Sequence, residues 1–273
     1  MKELEMIRAY YKPMQSSLGF NGTLQSNILY HEVTPAKAAH NFVYCFWQLK
    51  TLEPLKNDFV YKVVSDGCID IFFEHNHPAQ NFVMGFCKTY TEFPIGKSFD
   101  YVGVRFFPSA FPILFNFNAK LLSDKSTELK NILPDLSNWI SKSIYSEDSF
   151  NGIVEKLNIK LAEIIRSRPL IYDSRFFKAL QIIFEHDGFL ETETQLDADL
   201  SSRQLQRIFN YFIGTTTKSF SDVVRFQYIL NKKSTLANKE DKLFYLDVGF
   251  YDQAHFIKNF KKFYGVTPSE AFR

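Results

Sequence analysis

The chain has 273 residues, of which 45% are hydrophobic and 23% charged, a composition that is typical of a globular protein and excludes an intrinsically disordered one. Its formal net charge is only +2, so the protein does not coat nucleic acid through its overall field, and any binding to DNA must be local. The length is sufficient for two domains with separate cores, and the 30 phenylalanines predict bulky cores or an aromatic-lined cavity.

Targeting signals and cysteines bear on where the protein works. The N-terminus carries acidic residues and lacks the apolar stretch of a signal peptide, and the densest apolar run, residues 42–47, is far too short to span a membrane. The three cysteines, Cys45, Cys68 and Cys87, are odd in number and widely spaced. We therefore expect a cytoplasmic protein with reduced thiols and no membrane partner.

The N-terminal half, up to about residue 122, consists of short β-rich runs separated by turn signals. Two predicted strands, Cys68–Phe73 and Asn81–Phe86, are joined by residues 74–80, whose Asn and Pro predict a loop. A further strand is predicted at Tyr101–Phe107. This pattern predicts a small β-barrel or sandwich.

Two groups of polar residues in this half are candidates for a site. His75 and His77 have the spacing that opens a metal-binding cupin signature, but the acid that should follow is missing, so we predict a solvated loop without a metal. Asp66 and Arg105 would form a pair that either anchors a ligand or braces the fold, and bracing is the simpler interpretation. No nucleophile elbow, phosphate loop or zincin pattern is present, so we expect no catalytic residue, no cofactor and no enzyme.

Helical periodicity replaces the β pattern after about residue 124. Spacings of four and three predict an amphipathic helix that packs on its own domain or pairs with a second copy, and we favour the first; its apolar positions are Phe150, Val154, Leu157, Leu161 and Ile164. Residues 166–169 are the predicted linker. Ser174 is predicted to cap the next helix, and a long connecting helix is predicted from Thr216 to about Lys233.

Two later segments have one pattern in common. The helix predicted after Ser201 has a polar face of Arg203, Gln206, Arg207 and Asn210 opposite Leu205, Ile208, Phe209 and Phe212. The C-terminal segment has a cap candidate, an apolar face and a stop glycine, followed by a Thr-Pro helix start: Asp252, Phe256, Phe260, Phe263, Gly265, Thr267 and Pro268. A shift of 51 residues superposes Gly214 on Gly265, together with core and cation positions, which indicates an internal repeat.

Residues 174–273 closely resemble the DNA-binding domain of the AraC family of bacterial transcription regulators. The N-terminal half resembles the domain of one AraC-like subgroup at Cys45-Phe46-Trp47, 65–73, Gly85 and 103–108. The resemblance implies an α+β multidomain fold, with a cupin-like β-barrel domain and following helices at 1–167 and an all-α domain with two helix-turn-helix units at 174–273. The helical segment at 124–167 would serve in dimerisation and in passing a signal to the DNA-reading units.

The resemblance also implies partners and site residues. Double-stranded DNA and a small-molecule effector are the expected partners, while a homodimer and a contact with RNA polymerase stay open. By family position, the residues expected at bases or phosphates are Arg203, Gln206, Arg207, Gln253, His255, Lys258 and Lys262. The effector-binding residues are not identified.

The sequence departs from the family pattern at several places. Gln195 and Asp199 stand where a small residue and a turn glycine are usual, within an acidic run completed by Glu191, Glu193 and Asp197. In the second unit Gly249 is kept, while Tyr245 replaces a small alanine. Carboxylates near a phosphate backbone oppose binding.

Three functions follow, in order of preference. The first is a sequence-specific transcription regulator controlled by an effector in the N-terminal domain. The second is a ligand-binding or protein-interaction module whose degenerate helix-turn-helix units bind DNA weakly. The third is a cupin-type enzyme in the N-terminal half that would use His75 and His77 as metal ligands.

Overall fold

A computed structural model describes residues 2–15, 27–190, 196, 198–235, 244–247 and 250–271. Its strands are β1 Ile28–Val33, β2 Val43–Thr51, β3 Phe59–Val63, β4 Ile69–Glu74, β5 His77–Met84, β6 Thr91–Gly96, β7 Asp100–Phe106 and β8 Ser126–Glu128. Its α-helices are α1 Lys2–Tyr10, α2 Ala110–Phe115, α3 Pro134–Ser143, α4 Phe150–Ser167, α5 Ser174–Glu185, α6 Ser202–Phe212, α7 Thr217–Thr235, α8 Phe244–Asp247, α9 Gln253–Tyr264 and α10 Pro268–Ala271. Within this described part, no helix is both long and apolar enough to cross a membrane.

The N-terminal half is β-rich, as predicted, but it is not a closed barrel. Six strands form an antiparallel sheet in the order β1-β2-β7-β4-β5-β8, and β3 pairs with β6 in a second, two-stranded sheet. In the described part of the chain the large sheet stays open at β1 and β8, because β3 and β6 pair with each other and do not bridge its edges.

Alternation along the strands divides the large sheet into two faces. One face, which includes Ile71, Val104 and Phe106, packs into the main hydrophobic core beneath the helices. The opposite face, which includes Cys45 and Trp47, packs with residues of the small sheet in a second cluster. The space between the two sheets is where the cavity described below lies.

The loop predicted at residues 74–80 is wrong in its extent. The chain turns at His75 and Asn76, and β5 starts at His77. Pro78 is tolerated inside β5 because the register changes from Glu74 opposite His77 to Phe73 opposite Asn81, so residues 78–80 bulge between the two pairs.

The predicted helices are present. The seam of α4 packs within the chain, with Ile153, Val154, Leu157 and Leu161 buried. α7 provides the long connecting helix. α5 is capped one residue earlier than predicted, because the Asp173 carboxylate accepts a hydrogen bond from the Arg175 N–H at 2.9 Å.

The two halves do not have separate cores, contrary to the expectation from length. One cluster of buried apolar side chains runs from the large sheet into the C-terminal helices. Tyr11, just after α1, stacks on Phe184 of α5 with ring centroids 4.9 Å apart. The Gln227 side chain of α7 bonds the backbone of Met14 at 2.7 and 3.0 Å and the Ser65 carbonyl at 2.9 Å.

The N-terminus of α6 is capped by reciprocal hydrogen bonds between Ser201 and Gln204. Ser201 Oγ accepts from the Gln204 N–H, and the Gln204 side chain accepts from the Ser201 N–H. Ser201→Ala should lower the free energy of unfolding by about 1 kcal/mol, measured by urea denaturation. Ser202→Ala, one residue into the same helix, is the control and should be neutral; equal losses in both variants would contradict the cap.

Candidate nucleic-acid interface and cavity

The first candidate surface is the polar face of α6. Arg203, Gln206 and Arg207 are exposed along it, as the sequence predicts. The opposite face is buried and consists of Leu205, Ile208, Phe209 and Phe212. α6 contains two arginines and no acidic residue. A guanidinium on such a face has the geometry to donate two hydrogen bonds to a guanine edge in the major groove.

The second candidate surface is the equivalent face of α9. Gln253, His255 and Lys258 are exposed near its start, and Lys262 is exposed near its end. The Asp252 carboxylate caps the helix by accepting from the His255 N–H at 2.7 Å, as predicted. α9 contains three lysines and no acidic residue. The His255 ring contacts Asn259 through Nε2 at 3.0 Å, so these two side chains are oriented together.

The departures from the family pattern have mixed outcomes. Asp199 adopts the left-handed conformation of a turn glycine, with φ of 55°, and its carboxylate pairs with Lys178 at 2.8 Å. Tyr245 is half-buried and packs against the main core. The other departures and the kept glycine lie outside the described residues: Glu191, Glu193, Gln195, Asp197 and Gly249.

Both stop glycines pack against the N-terminal half. Gly214 has φ of +100°, and a Cβ there would lie 2.7 Å from Ser123 Oγ and 3.0 Å from the Ala119 carbonyl oxygen. Gly265 has φ of +93°, and a Cβ there would lie 2.9 Å from the ring of Tyr90. Only glycine satisfies both the positive φ and the close approach.

Hydrogen bonds accompany these two contacts. Ser123 Oγ donates to the Gly214 carbonyl, and Tyr211 Oη of α6 donates to Asn116 Oδ1 at 2.9 Å. The Tyr90 N–H donates to the Lys262 carbonyl of α9 at 3.3 Å. The C-terminal ends of α6 and α9 are thus both held by the β-rich half.

A cavity of about 270 Å³ lies between the two sheets. Among the residues that the structure describes, six aromatic side chains line it, namely Trp47, Tyr61, Phe72, Phe82, Phe93 and Tyr101. Pro94 and Ser126, which also line it, are exposed, so the cavity reaches the surface beside them. Such a concave, mostly apolar space with a few polar groups is typical of a small-molecule site.

Trp47 occupies its place because Gly103 has no side chain. Gly103 lies directly opposite Trp47 on β2 and Phe72 on β4, and a Cβ on Gly103 would overlap the indole ring. The indole N–H therefore reaches across β7 and donates to Asp70 Oδ2 at 2.9 Å.

A buried charge cluster forms the polar end of the cavity. Arg105 pairs with Asp66 at 3.5 Å, as predicted, but its closer partner is Asp70, whose oxygens lie 3.1 and 3.3 Å from its Nη2 and Nε. Arg105 Nη1 also contacts half-exposed Glu32 at 3.4 Å. Asp66 accepts from the Cys68 N–H at 2.9 Å and from Gln15 Nε2 at 2.5 Å.

Burial sets the titration of these acids. It raises the pKa of Asp70 from 3.8 to about 6, against the opposing effect of the Arg105 charge. Burial also raises the pKa of Asp66, and Arg105 again opposes the shift. Asp70 was not among the predicted site residues, because a polar residue alternating with Ile69 and Ile71 is more often solvent-facing; only its register opposite Arg105 indicates otherwise.

The two histidines of the third hypothesis do not converge. His77 is exposed, whereas His75 is buried with Nδ1 3.0 Å from Asp100 Oδ2, which corrects the predicted solvated loop. In the described ranges no three His, Cys, Asp or Glu side chains are placed to hold a metal ion. Cys45, Cys68 and Cys87 are free and buried, and burial raises the pKa of each thiol.

Two protein-family models match parts of the chain. A model described as a helix-turn-helix domain matches residues 197–273, which include α6, α7 and α9. The match shows a helix-turn-helix domain in the C-terminal segment. A second model, a domain of unknown function (DUF6597), matches residues 31–128, which include the described residues that line the cavity apart from Gln15. No curated protein matches the chain in sequence.

Solved structures of ToxT from Vibrio cholerae are similar to this chain over most of its length. ToxT from strain O395 is 12% identical, with 90% of this chain and 96% of that chain covered and a TM-score of 0.40. Unsaturated fatty acid-bound ToxT from strain SCE256 is 12% identical over 81% and 96%, with a TM-score of 0.39. Similarity at this level assigns no ligand to the cavity.

Gly103→Ala tests the close approach that shapes the cavity. The added methyl would displace the Trp47 indole and should cost about 1–3 kcal/mol of the free energy of unfolding, with a change in tryptophan emission. Gly152→Ala is the matched control, because its Cβ would meet only Ser149 Oγ, at 3.4 Å. A neutral Gly103→Ala variant with unchanged emission would contradict this account of the indole.

The titration of Asp70 predicts a pH dependence of stability. Its folded pKa of about 6 lies above the ordinary 3.8, so its stabilising contribution is present at low pH and is lost as pH rises from about 4 through 6. Urea denaturation across this range should show wild type losing stability relative to Asp70→Asn as pH rises. Asp135→Asn, at an exposed carboxyl of α3, should show no such trend; a pH-independent difference at position 70 would contradict the shift.

Proposed function

We propose that the chain is a sequence-specific DNA-binding transcription regulator, controlled by a small molecule that binds in the cavity of its N-terminal half. The observation that carries the proposal is the pair of repeat-related helices, α6 and α9, each with an exposed polar face that contains cations and no acid. Two such helices joined by a rigid helix suit successive major grooves about 34 Å apart. The regulator would act in the cytoplasm, and a homodimer and a contact with RNA polymerase remain predictions.

In this proposal, residues 1–167 would bind the effector and residues 174–273 would bind DNA. Arg203, Gln206, Arg207, Gln253, His255 and Lys258 would contact bases, and Lys262 a phosphate. Lys262 lies beside the half-buried carboxyl of Asp222 on α7, whose pKa burial raises while the Lys262 charge opposes the shift. Lys262 is therefore the residue whose contribution to DNA binding we expect to be smallest.

The contacts with the stop glycines offer a route by which a conformational change at the cavity would reach both α6 and α9. Gly85 and Cys87 line the cavity, and the same segment continues to Tyr90 at the end of α9. Backbone bonds tie it to the neighbouring segment, through Asp124 N to the Phe86 carbonyl at 2.8 Å. That neighbouring segment carries Ser123, which contacts the end of α6.

A ligand would act through this route by favouring one arrangement of the helices over another. The segments involved are 85–90 and 119–125, together with Gln15 and the loop at 64–66, which connect to Gln227 of α7. It differs from the route expected through the helices at 124–167, which stays a prediction. A ligand that binds both arrangements equally would leave DNA binding unchanged.

Selection from a randomised pool of DNA duplexes by the full chain tests the proposal. We expect an enriched sequence with two half-sites about one helical turn apart. Arg207→Ala should weaken binding to it by about 1–3 kcal/mol and relax the preference at one base pair, as measured by fluorescence anisotropy. Lys258→Ala should also weaken binding.

Exposed cations outside the proposed interface provide controls. Arg166→Ala on α4 and Lys142→Ala on α3 remove an exposed arginine and an exposed lysine, the same residue types as Arg207 and Lys258. Both variants should leave the affinity for DNA unchanged. If no sequence is enriched from the pool, the proposal of a transcription regulator is contradicted, and the alternative of a ligand-binding or protein-interaction module is favoured. Enrichment with full affinity in Arg207→Ala and Lys258→Ala would show that another face reads the DNA.

A further inference from the structure

The cavity between the two sheets has an excess of negative charge. Among its described lining residues, two carboxylates, Asp66 and Asp70, face one guanidinium, that of Arg105. Glu32, on the far side of Arg105, adds a third carboxylate to the same guanidinium. A single buried cation therefore serves several acids, and charges held out of water need compensation to be stable.

The hydrogen bonds leave acceptor capacity on both acids. A carboxylate has about four lone-pair sites, and Asp70 uses three of them, for Trp47 Nε1, Arg105 Nε and Arg105 Nη2. Asp66 accepts from the Cys68 N–H and Gln15 Nε2 and has its Oδ2 3.5 Å from Arg105. A ligand that brings N–H donors would find acceptors here.

The charge pattern discriminates between ligand classes. A carboxylate ligand would meet Asp66 and Asp70 while Arg105 is already engaged by both. A neutral apolar ligand would leave the excess carboxylate charge uncompensated in a drier cavity. A cation would neutralise that charge; burial raises the pKa of both carboxyls, against the opposing effect of the Arg105 charge.

Aromatic rings on both walls suit the same class. Trp47 and Phe72 on the large sheet lie with centroids 6.3 Å apart, and Phe72 contacts Phe82 at 5.5 Å and Tyr101 at 6.2 Å. Tyr61 and Phe93 line the cavity from the small sheet. The faces of such rings attract ammonium groups and pack against apolar bodies.

We propose that the effector is a small organic cation, an amine with an aromatic or apolar body, whose ammonium group lies against Asp66 and Asp70 and whose body lies between the aromatic walls. The inference rests on the proposed function, because it names the class of molecule that the regulator would sense. The cavity of about 270 Å³ is large enough, since a cavity of roughly 150 Å³ already holds benzene.

Three probes of similar size and different charge test the class on the full chain: 2-phenylethylammonium, 2-phenylethanol and phenylacetate. Binding is measured by calorimetry and by the emission of Trp47 in a Trp139→Phe background, which leaves Trp47 as the sole tryptophan. We expect the amine to bind at least tenfold more tightly than the alcohol and to change the emission of Trp47. We expect phenylacetate to bind most weakly of the three. Equal or tighter binding of either other probe would overturn the proposal, as would no binding of the amine.

A variant series locates the cation. Asp70→Asn should reduce the affinity for the amine at least tenfold and leave that for the alcohol nearly unchanged, whereas Asp135→Asn on the surface should change neither. Unchanged amine affinity in both Asp70→Asn and Asp66→Asn would overturn the assignment. The comparison of the three probes on the wild-type chain decides the class even where a variant fails to fold.

The failure of this inference is distinguishable from failure of the proposed function. If the amine binds the cavity without changing affinity for the selected DNA duplex, the ligand class stands and control of DNA reading by the cavity fails. If the amine does not bind while the duplex is still selected, the DNA-reading function stands and the ligand class is wrong.

Discussion

The burial of one guanidinium organises the N-terminal half. Arg105, 3% exposed in its side chain, lies on the cavity face of the sheet, where its neighbours along β7 are Gly103 and Tyr101. Its charge can be held there only because Asp70 lies directly across on β4, Asp66 on the preceding loop and Glu32 on β1. The same arrangement joins three segments of chain, fixes the polar end of the cavity and leaves it with more acid than base.

The second constraint is the close contact between the two halves. Gln227 of α7 bonds both Met14 and Ser65, and Gln15, beside Met14, bonds Val64 and Asp66. The polar end of the cavity is therefore two hydrogen bonds away from α7, the connecting helix of the C-terminal half. Because packed interiors yield little, a shift of Asp66 would be transmitted along this path.

Local patterns predicted much of the C-terminal half. The cap at Asp252, the buried face of α6 and the stop at Gly265 are present because capping, helical periodicity and the positive φ of glycine act over a few residues. The long-range features were not predictable in the same way. Three such features depend on which strands and segments meet in the fold. They are the separate sheet of β3 and β6, the position of Asp70 opposite Arg105 and the contact of Tyr90 with Gly265.

The cavity illustrates why the residues that line a site are hard to predict from a single sequence. Cys45, Trp47 and Leu49 alternate along β2 with residues that are also buried, so both faces of the strand are covered and periodicity does not say which face lines a site. Gly103 in the middle of β7 is the one local signal, since a glycine inside a strand indicates a close approach by another group. Here that group is the indole that reaches Asp70.

The near-neutral charge of the C-terminal half does not by itself decide whether it reads DNA. From residue 171 onward there are fourteen Lys and Arg against thirteen Asp and Glu, but the Debye length at physiological salt is about 8 Å, so a phosphate senses mainly the charges close to it. Asp173 pairs with Arg175 and Asp199 with Lys178, each at 2.8 Å, so these acids are compensated where they lie. The cations of α6 and α9 have no acid within their own helices. Binding that depends on so few local charges would rely on base contacts for much of its affinity, and its salt dependence would be shallower than that of a protein that neutralises many phosphates.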